Sequence, residues 1–170
     1  MVDDMKDEGM IATAVHQNHM RLALEQAQLA ADLGEVPVGA VAIWQGQVIG
    51  RGHNRKESDL DPTAHAEIIA LRQAAAFLQN WRLIDVTLYC TLEPCPMCAG
   101  AMIQSRLPNL VYGAKDTRFG ADGSIVDVFN AEGFNHQVDI TPGILENKAA
   151  EMLQTFFRSL REKRSHKAAE

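Results

Sequence analysis

Two short segments carry the residue types of a metal site. One is His65-Ala66-Glu67 and the other is Pro94-Cys95-Pro96-Met97-Cys98. Each stands where a helix is predicted to begin. Cys-x-x-Cys in a first helical turn sets two sulfurs on one side. The helix N-terminus also favours the thiolate, which is the form that binds metal. A histidine from a second helix start would make three ligands. Three His/Cys ligands leave the fourth tetrahedral position open, the pattern of a catalytic rather than a structural zinc ion. Glu67, two residues from that histidine, is placed to take a proton from water at such a site and return it to a leaving group.

Other readings stay open on these residues alone. Cys90 is the remaining member of three cysteines. It falls mid-strand with Leu88 and Leu92 on its face and reads as a core thiol. Cys90 or His53 as a fourth ligand would turn the site into a closed, structural one. A thioredoxin-like redox pair also places Cys-x-x-Cys after a strand, but leaves His65 and Glu67 unexplained. A glutamate in a first helical turn can serve the helix dipole with no chemistry at all.

The surrounding pattern supplies elements to position these groups. Residues 15–33 repeat apolar positions at Met20, Leu24, Ala27 and Ala31, an amphipathic helix stopped by Gly34. Residues 36–44 read as a buried strand, Gln45-Gly46 as a tight turn, and residues 47–52 as a returning strand. Residues 55–62 form a polar loop, and Thr63 is the expected cap of a helix over 64–80. A strand over 87–92 leads through Pro94 into a helix over 97–106, with Pro96 in its first turn. A strand at 110–113 follows. Residues 115–135 are rich in Gly and Asp and read as a long loop with a short helix at 125–130. A strand at 137–140 and an amphipathic helix over 144–164 complete the chain. Strands alternating with helices imply an α/β fold: a partly parallel sheet of five strands covered by helices on both faces. The first hairpin makes that sheet mixed.

The chain has 170 residues, 46% of them hydrophobic, which suits one compact domain. The expected division is a flexible leader over 1–13, a single domain over 14–164 and a flexible tail over 165–170. No stretch is apolar enough to span a membrane. The acidic start MVDDMKDEGM is unlike a secretory signal, and an odd number of cysteines argues against a disulfide framework. The expected location is the cytoplasm.

Longer strings carry a family resemblance. His-x-Glu followed by Pro-Cys-x-x-Cys is the signature of zinc-dependent nucleobase deaminases. Residues 34–40 (GEVPVGA), 52–55 (GHNR), 61–67 (DPTAHAE) and 91–101 (TLEPCPMCAGA) closely resemble the bacterial tRNA-specific adenosine deaminases, with similarity running from about Met20 to Arg161. The resemblance implies a cytidine-deaminase-like three-layer α/β/α fold. It implies hydrolytic conversion of adenosine to inosine at the wobble position of a tRNA anticodon, in a homodimer. It implies one zinc ion per subunit on His65, Cys95 and Cys98, and a zinc-bound hydroxide that attacks adenine C6 while Glu67 shuttles the proton. Candidate substrate-binding residues are Asn54, Ala66, Pro94, Asp116, Phe156, Phe157 and Arg158. Asn54 matches a residue that bonds the target nucleoside, and Asp116 matches one in a loop near the ribose-phosphate chain. Phe156 falls on the apolar stripe of its helix, where core packing is the plain alternative; Phe157 falls off it.

The charge bears on the partner. Sixteen Lys+Arg against 22 Asp+Glu give a formal net charge of -6, which on its face disfavours a polyphosphate ligand. The distribution changes that reading. Arg158, Arg161, Lys163, Arg164 and Lys167 cluster in the last helix against Glu162 alone. An anticodon loop is single-stranded and offers splayed bases, so its recognition needs a deep pocket and few phosphate contacts. The expected affinity is modest and salt-sensitive.

Overall fold

A computed structural model describes the backbone of residues 2–167 and the side chains of residues 12–165. The elements are α1 (Val2–Asp32), β1 (Gly39–Trp44), β2 (Gln47–His53), α2 (Lys56–Asp59) and α3 (Ala66–Leu78), followed by β3 (Val86–Leu92), α4 (Pro96–Gln104), β4 (Asn109–Ala114), β5 (Asp139–Thr141) and α5 (Glu146–Lys167). The strands form one sheet in the order β2-β1-β3-β4-β5. β1 runs antiparallel to both β2 and β3, whereas β3, β4 and β5 are parallel. The mixed five-stranded sheet expected from the sequence is therefore present. Among the described residues, no helix is long and apolar enough to cross a membrane.

Strand alternation divides the core into two layers. On one face Val41, Ile43, Tyr89 and Val111 pack against Met20, Ala23 and Leu24 of α1 and Ala149 of α5. On the other, Ala40, Ala42, Leu88, Cys90, Leu110 and Tyr112 pack against Ala66, Ala70 and Ala74 of α3 and Cys98, Ala99 and Met102 of α4. The small residues let α3 lie close to the sheet. A Cβ at Gly52 would overlap the Ala66 carbonyl oxygen and crowd the Ala70 nitrogen, so β2 and the first turn of α3 touch backbone to backbone. We expect Gly52→Ala to push that turn outward and cost about 2–3 kcal/mol of unfolding free energy. Urea denaturation measures it; an unchanged midpoint would contradict the close packing.

Several boundaries differ from the expectation. α1 begins at Val2 rather than near residue 15. Residues 2–14 lack proline and place acids near the helix start, so nothing stops the helix, but they lack the apolar repeat by which a packed helix is read. Met1 and residues 168–170, parts of the expected leader and tail, lie outside the described residues. Residues 36–38 precede β1 without joining it. The polar segment 55–62 contains the short helix α2, held by an Arg55–Asp59 ion pair at 2.7 Å and by Glu35. That buried carboxylate accepts the Ser58 N–H at 2.7 Å and the Ser58 hydroxyl at 2.9 Å. β5 occupies 139–141 rather than 137–140.

The expected helix at 125–130 does not form. Turns and one isolated bridge, Asp122 to Asp127, replace it, and Gly123 with φ of +91° turns the chain between them. Thr63 does not cap α3 either. Its N–H and hydroxyl both donate to Asp61 Oδ1, at 2.8 and 2.7 Å, which commits it to the preceding turn. His65 is the N-cap residue, without a side-chain cap bond.

Candidate metal centre and nucleobase cavity

Two helix N-termini meet at the floor of one cavity. β2 ends at His53, and the next residue, Asn54, is buried with its Oδ1 accepting the Ala66 N–H at 3.1 Å. Asn54 thus satisfies a first-turn N–H that the N-cap side chain leaves free. His65 can then turn its ring elsewhere. Its Nδ1 lies 3.6 Å from Cys95 Sγ and 3.6 Å from Cys98 Sγ. Cys95 is the N-cap of α4, and Cys98 sits one turn later behind Pro96 at the helix start.

These donors fit zinc. Zinc bonds of about 2.3 Å to sulfur and about 2.0–2.1 Å to nitrogen, at tetrahedral angles, hold the two kinds of atom about 3.6 Å apart. Both His–Cys spacings have that length. The donor atoms all lie within 4.8 Å of one another, and they form the one such group among the described residues. His53 and Cys90 stand outside it. His53 Nδ1 faces Gln26 Oε1 at 3.5 Å, and Cys90 is fully buried with its thiol donating to the Leu92 carbonyl at 3.1 Å. Cys90 is the core thiol expected, and burial pushes its pKa up. Nothing in the described residues closes the site with a fourth side chain.

The electrostatics suit metal capture. The neighbouring Cys98 sulfur and the His65 ring hold the Cys95 thiol down at about 4. Cys98, beside that sulfur and buried, is pushed up. The hydrogen bond to Cys95 raises His65 against its burial. Glu67, in the first turn of α3, is 3% exposed, and its Oε2 has no hydrogen-bond partner. Burial raises its carboxyl to about 7. A buried carboxyl with an idle oxygen, close to neutrality, is a proton carrier in waiting.

The cavity above this floor measures ≈ 840 Å³. Of the expected site residues, Asn54, His65, Glu67, Cys95, Asp116, Phe157 and Arg158 line it. Ala66 and Pro94 are not among the residues that line it. Ala66 gives its N–H to Asn54, and the Pro94 carbonyl accepts the Ala121 N–H at 2.9 Å. Phe156 does not reach the cavity. It lines a separate groove of ≈ 520 Å³ beside Ala31 and Gly34, and meets Phe157 edge-on at 5.4 Å. Its place on the apolar helical stripe accounts for this.

Three lining groups were not expected. Lys56 of α2, and Lys115 and Arg118 of the β4–β5 connection, join Arg158 and Arg161 around the cavity. Arg118 also stacks on the Phe157 ring at 5.1 Å, linking that connection to α5. No sequence pattern joins these cations, because they come from separate elements.

Comparisons with known proteins agree with this geometry. The MafB19-like deaminase family matches residues 14–161. The chain is 44% identical over 146 residues to the tRNA-specific adenosine deaminase of Bacillus subtilis, covering 86% of this chain and 91% of that protein. It is 46% identical over 159 residues to the tRNA-specific adenosine deaminase of Haemophilus influenzae, covering 93% and 92%. The chain belongs to the tRNA-specific adenosine deaminase family. A solved structure from work on A-to-I editing by tRNA:A34 deaminases at the wobble position matches this deaminase with a TM-score of 0.78 and 43% identity, over 80% of this chain and 99% of that one. The guanine deaminase of Nitrosomonas europaea shares the fold more distantly, with a TM-score of 0.67 and 25% identity over 82% and 83%.

Proposed function

We propose that this deaminase hydrolyses adenosine to inosine at the wobble position of a tRNA anticodon. One zinc ion per subunit would be held by His65 Nδ1, Cys95 Sγ and Cys98 Sγ, and Glu67 would carry the proton. The observation that carries the reading is the unpartnered Glu67 Oε2, buried beside three donors at tetrahedral spacing. Residues 14–164 would form the catalytic unit, acting in the cytoplasm as a homodimer. The family match over 14–161 supports the extent. The exposed apolar side chains Phe119, Ile125 and Val126 on the β4–β5 connection support self-association.

When bound, zinc supplies a nucleophile at neutral pH by lowering the pKa of water. Glu67 Oε2 accepts the proton that this water releases. The same carboxyl gives that proton to purine N1, then takes the second proton of the water oxygen, by now bonded to C6, and delivers it to the departing amino group. Adenosine and water become inosine and ammonia, and Glu67 ends as it began. Asn54 Oδ1 is occupied by Ala66, so its NH₂ group is left to donate to the nucleoside. That same bond fixes the angle at which α3 presents His65 and Glu67. Phe157 offers an aromatic face to an unstacked base, and Asp116 an acceptor for the ribose.

The charge pattern supports an RNA loop as substrate. Five cations line the cavity although the chain as a whole carries -6. Each phosphate contact on a single strand contributes about 0.7 to the slope of log affinity against log salt, so five give a limit of about 3.5. Replacing Arg158 and Arg161 together by alanine is expected to lower the slope by about 1.4. Filter binding at graded salt measures it. A slope well above the limit, or one that ignores both arginines, contradicts this placement of the RNA.

The activity itself is tested by incubating the zinc-loaded protein with an anticodon stem-loop bearing wobble adenosine, beside free adenosine, cytidine and guanine. Inosine formed in the stem-loop alone is the expected result. Comparable turnover of a free base or nucleoside would instead favour a small-molecule deaminase.

A further inference from the structure

We infer that Glu93 is a positioning residue that sets the substrate-facing wall of the cavity; the inference rests on the function proposed above. Glu93 follows the last residue of β3 and is 1% exposed. Its own N–H donates to the Ala114 carbonyl at the end of β4, at 2.8 Å, so its backbone is anchored between two central strands. The carboxylate turns toward the β4–β5 connection and accepts from three backbone groups there. Asp116 N–H donates to Oε2 at 3.0 Å, Asp122 N–H to Oε1 at 2.9 Å and Ser124 N–H to Oε1 at 3.3 Å. The Ser124 hydroxyl donates to Oε2 as well.

The connection wraps closely round this group. A Cβ at Gly120 would stand 2.5 Å from Glu93 Oε1 and 2.5 Å from the Asp116 carbonyl oxygen, so only glycine fits there. Residues 116–124 have no helix and no strand ladder to hold them beyond the single Asp122–Asp127 bridge. Yet this segment gives Asp116, Thr117, Arg118 and Phe119 to the cavity. A buried carboxylate needs several donors to replace water, and here the donors are the backbone of the substrate wall itself. The clamp reads out as substrate affinity rather than as chemistry, because the carboxylate's bonds run to the wall at Asp116, Asp122 and Ser124.

Glu93→Gln tests this sharply. An amide has one accepting oxygen. With that oxygen at the Oε1 position, the bonds from the Asp122 and Ser124 N–H groups survive, the Ser124 hydroxyl turns to accept from the new NH₂, and that NH₂ opposes the Asp116 N–H. The reverse orientation opposes two N–H groups and is disfavoured. The variant therefore releases Asp116 in particular.

In the zinc-loaded full chain acting on the wobble-adenosine stem-loop, we expect KM to rise about tenfold with kcat within about threefold and zinc content unchanged. Hydrogen exchange at the Asp116 amide should accelerate at least about tenfold. In an Asp116→Ala background the same change should add less than about twofold to KM, because both act through one wall. An unchanged KM, a loss carried by kcat, or full additivity with Asp116→Ala overturns the inference. Should Glu93→Gln not fold, Ser124→Ala removes the hydroxyl bond alone, and is expected to raise KM about twofold and quicken exchange at Asp116. Wild-type values in that variant overturn the inference equally. If the wild-type protein leaves the stem-loop unchanged, the proposed function fails, while the exchange rates still decide whether the clamp exists.

Discussion

Glu67→Gln is expected to keep its zinc and lose about 10³-fold in kcat, about 4 kcal/mol of transition-state stabilisation. The size follows from the work asked of one carboxyl. It takes a proton from water and gives it to the purine ring, then takes the proton left on the C6 hydroxyl and gives it to the leaving amine, and an amide does none of these. Zinc is expected to stay because the donor group able to hold it is formed by His65, Cys95 and Cys98 without Glu67. Folding is not expected to suffer, since Glu67 Oε2 makes no bond to lose and the variant removes an ionisable group from a buried position. Metal analysis beside a single-turnover assay checks both halves. A variant that lost its zinc would make Glu67 a ligand, and one that kept its rate would leave the proton without a carrier.

Cys98→Ala is the second large effect. Removing one of three donors should leave no zinc after dialysis and no measurable deamination. Stability should respond too. A ligand at 100 times its dissociation constant stabilises a fold by about 2.7 kcal/mol, and zinc is therefore expected to raise the wild-type Tm by about 5–10 °C and the variant's hardly at all. The pH dependence has a definite sign. Cys98 is raised and His65 is raised, so metal must displace protons from both as pH falls. Protons compete with zinc, and apparent affinity falls about tenfold per pH unit for each proton displaced. Competition with a chelator between pH 8 and 6 measures it. Affinity that rose on acidification would contradict the ligand set.

The three donors and Glu67 were legible before any coordinates, because metal chemistry restricts residue type and the two helix starts restrict position. The layers were legible too. Val41 and Ile43 alternate with Ala40 and Ala42, and each set meets its own helices. What escaped the sequence was held by long-range side-chain bonds. α2 exists in a polar stretch because Glu35, more than twenty residues earlier, accepts from Ser58. Residues 125–130 form no helix because Ile125, Val126, Asp127, Val128, Phe129 and Asn130 are all weak helix formers, and the Asp122–Asp127 bridge takes its place. Thr63 is a good cap that Asp61 takes first, and Asn54 supplies the first-turn acceptor from the segment after β2.

Charge gave the most misleading total. A net of -6 describes the whole chain, while a ligand meets the local field. Lys56, Lys115 and Arg118 reach the cavity from α2 and the β4–β5 connection, which no count along the chain reveals. Glu93 contributes to the acidic total, yet at the cavity wall it is 1% exposed and its carboxylate is taken up by backbone N–H groups of the β4–β5 connection. Phe156 shows the opposite case. Family resemblance suggested a substrate contact, but the apolar periodicity of α5 pointed to packing, and it lies in the groove toward α1.

The central claim is a hydrolysis at one base of one loop. Its most direct test is deamination of a wobble-adenosine stem-loop in water enriched with oxygen-18, followed by mass spectrometry of the released nucleosides. The account predicts inosine at the wobble position carrying one solvent oxygen, with adenosines elsewhere in the loop intact and Glu67→Gln inactive. Inosine without the label, conversion spread over other adenosines, or no inosine from the zinc-loaded protein would contradict it.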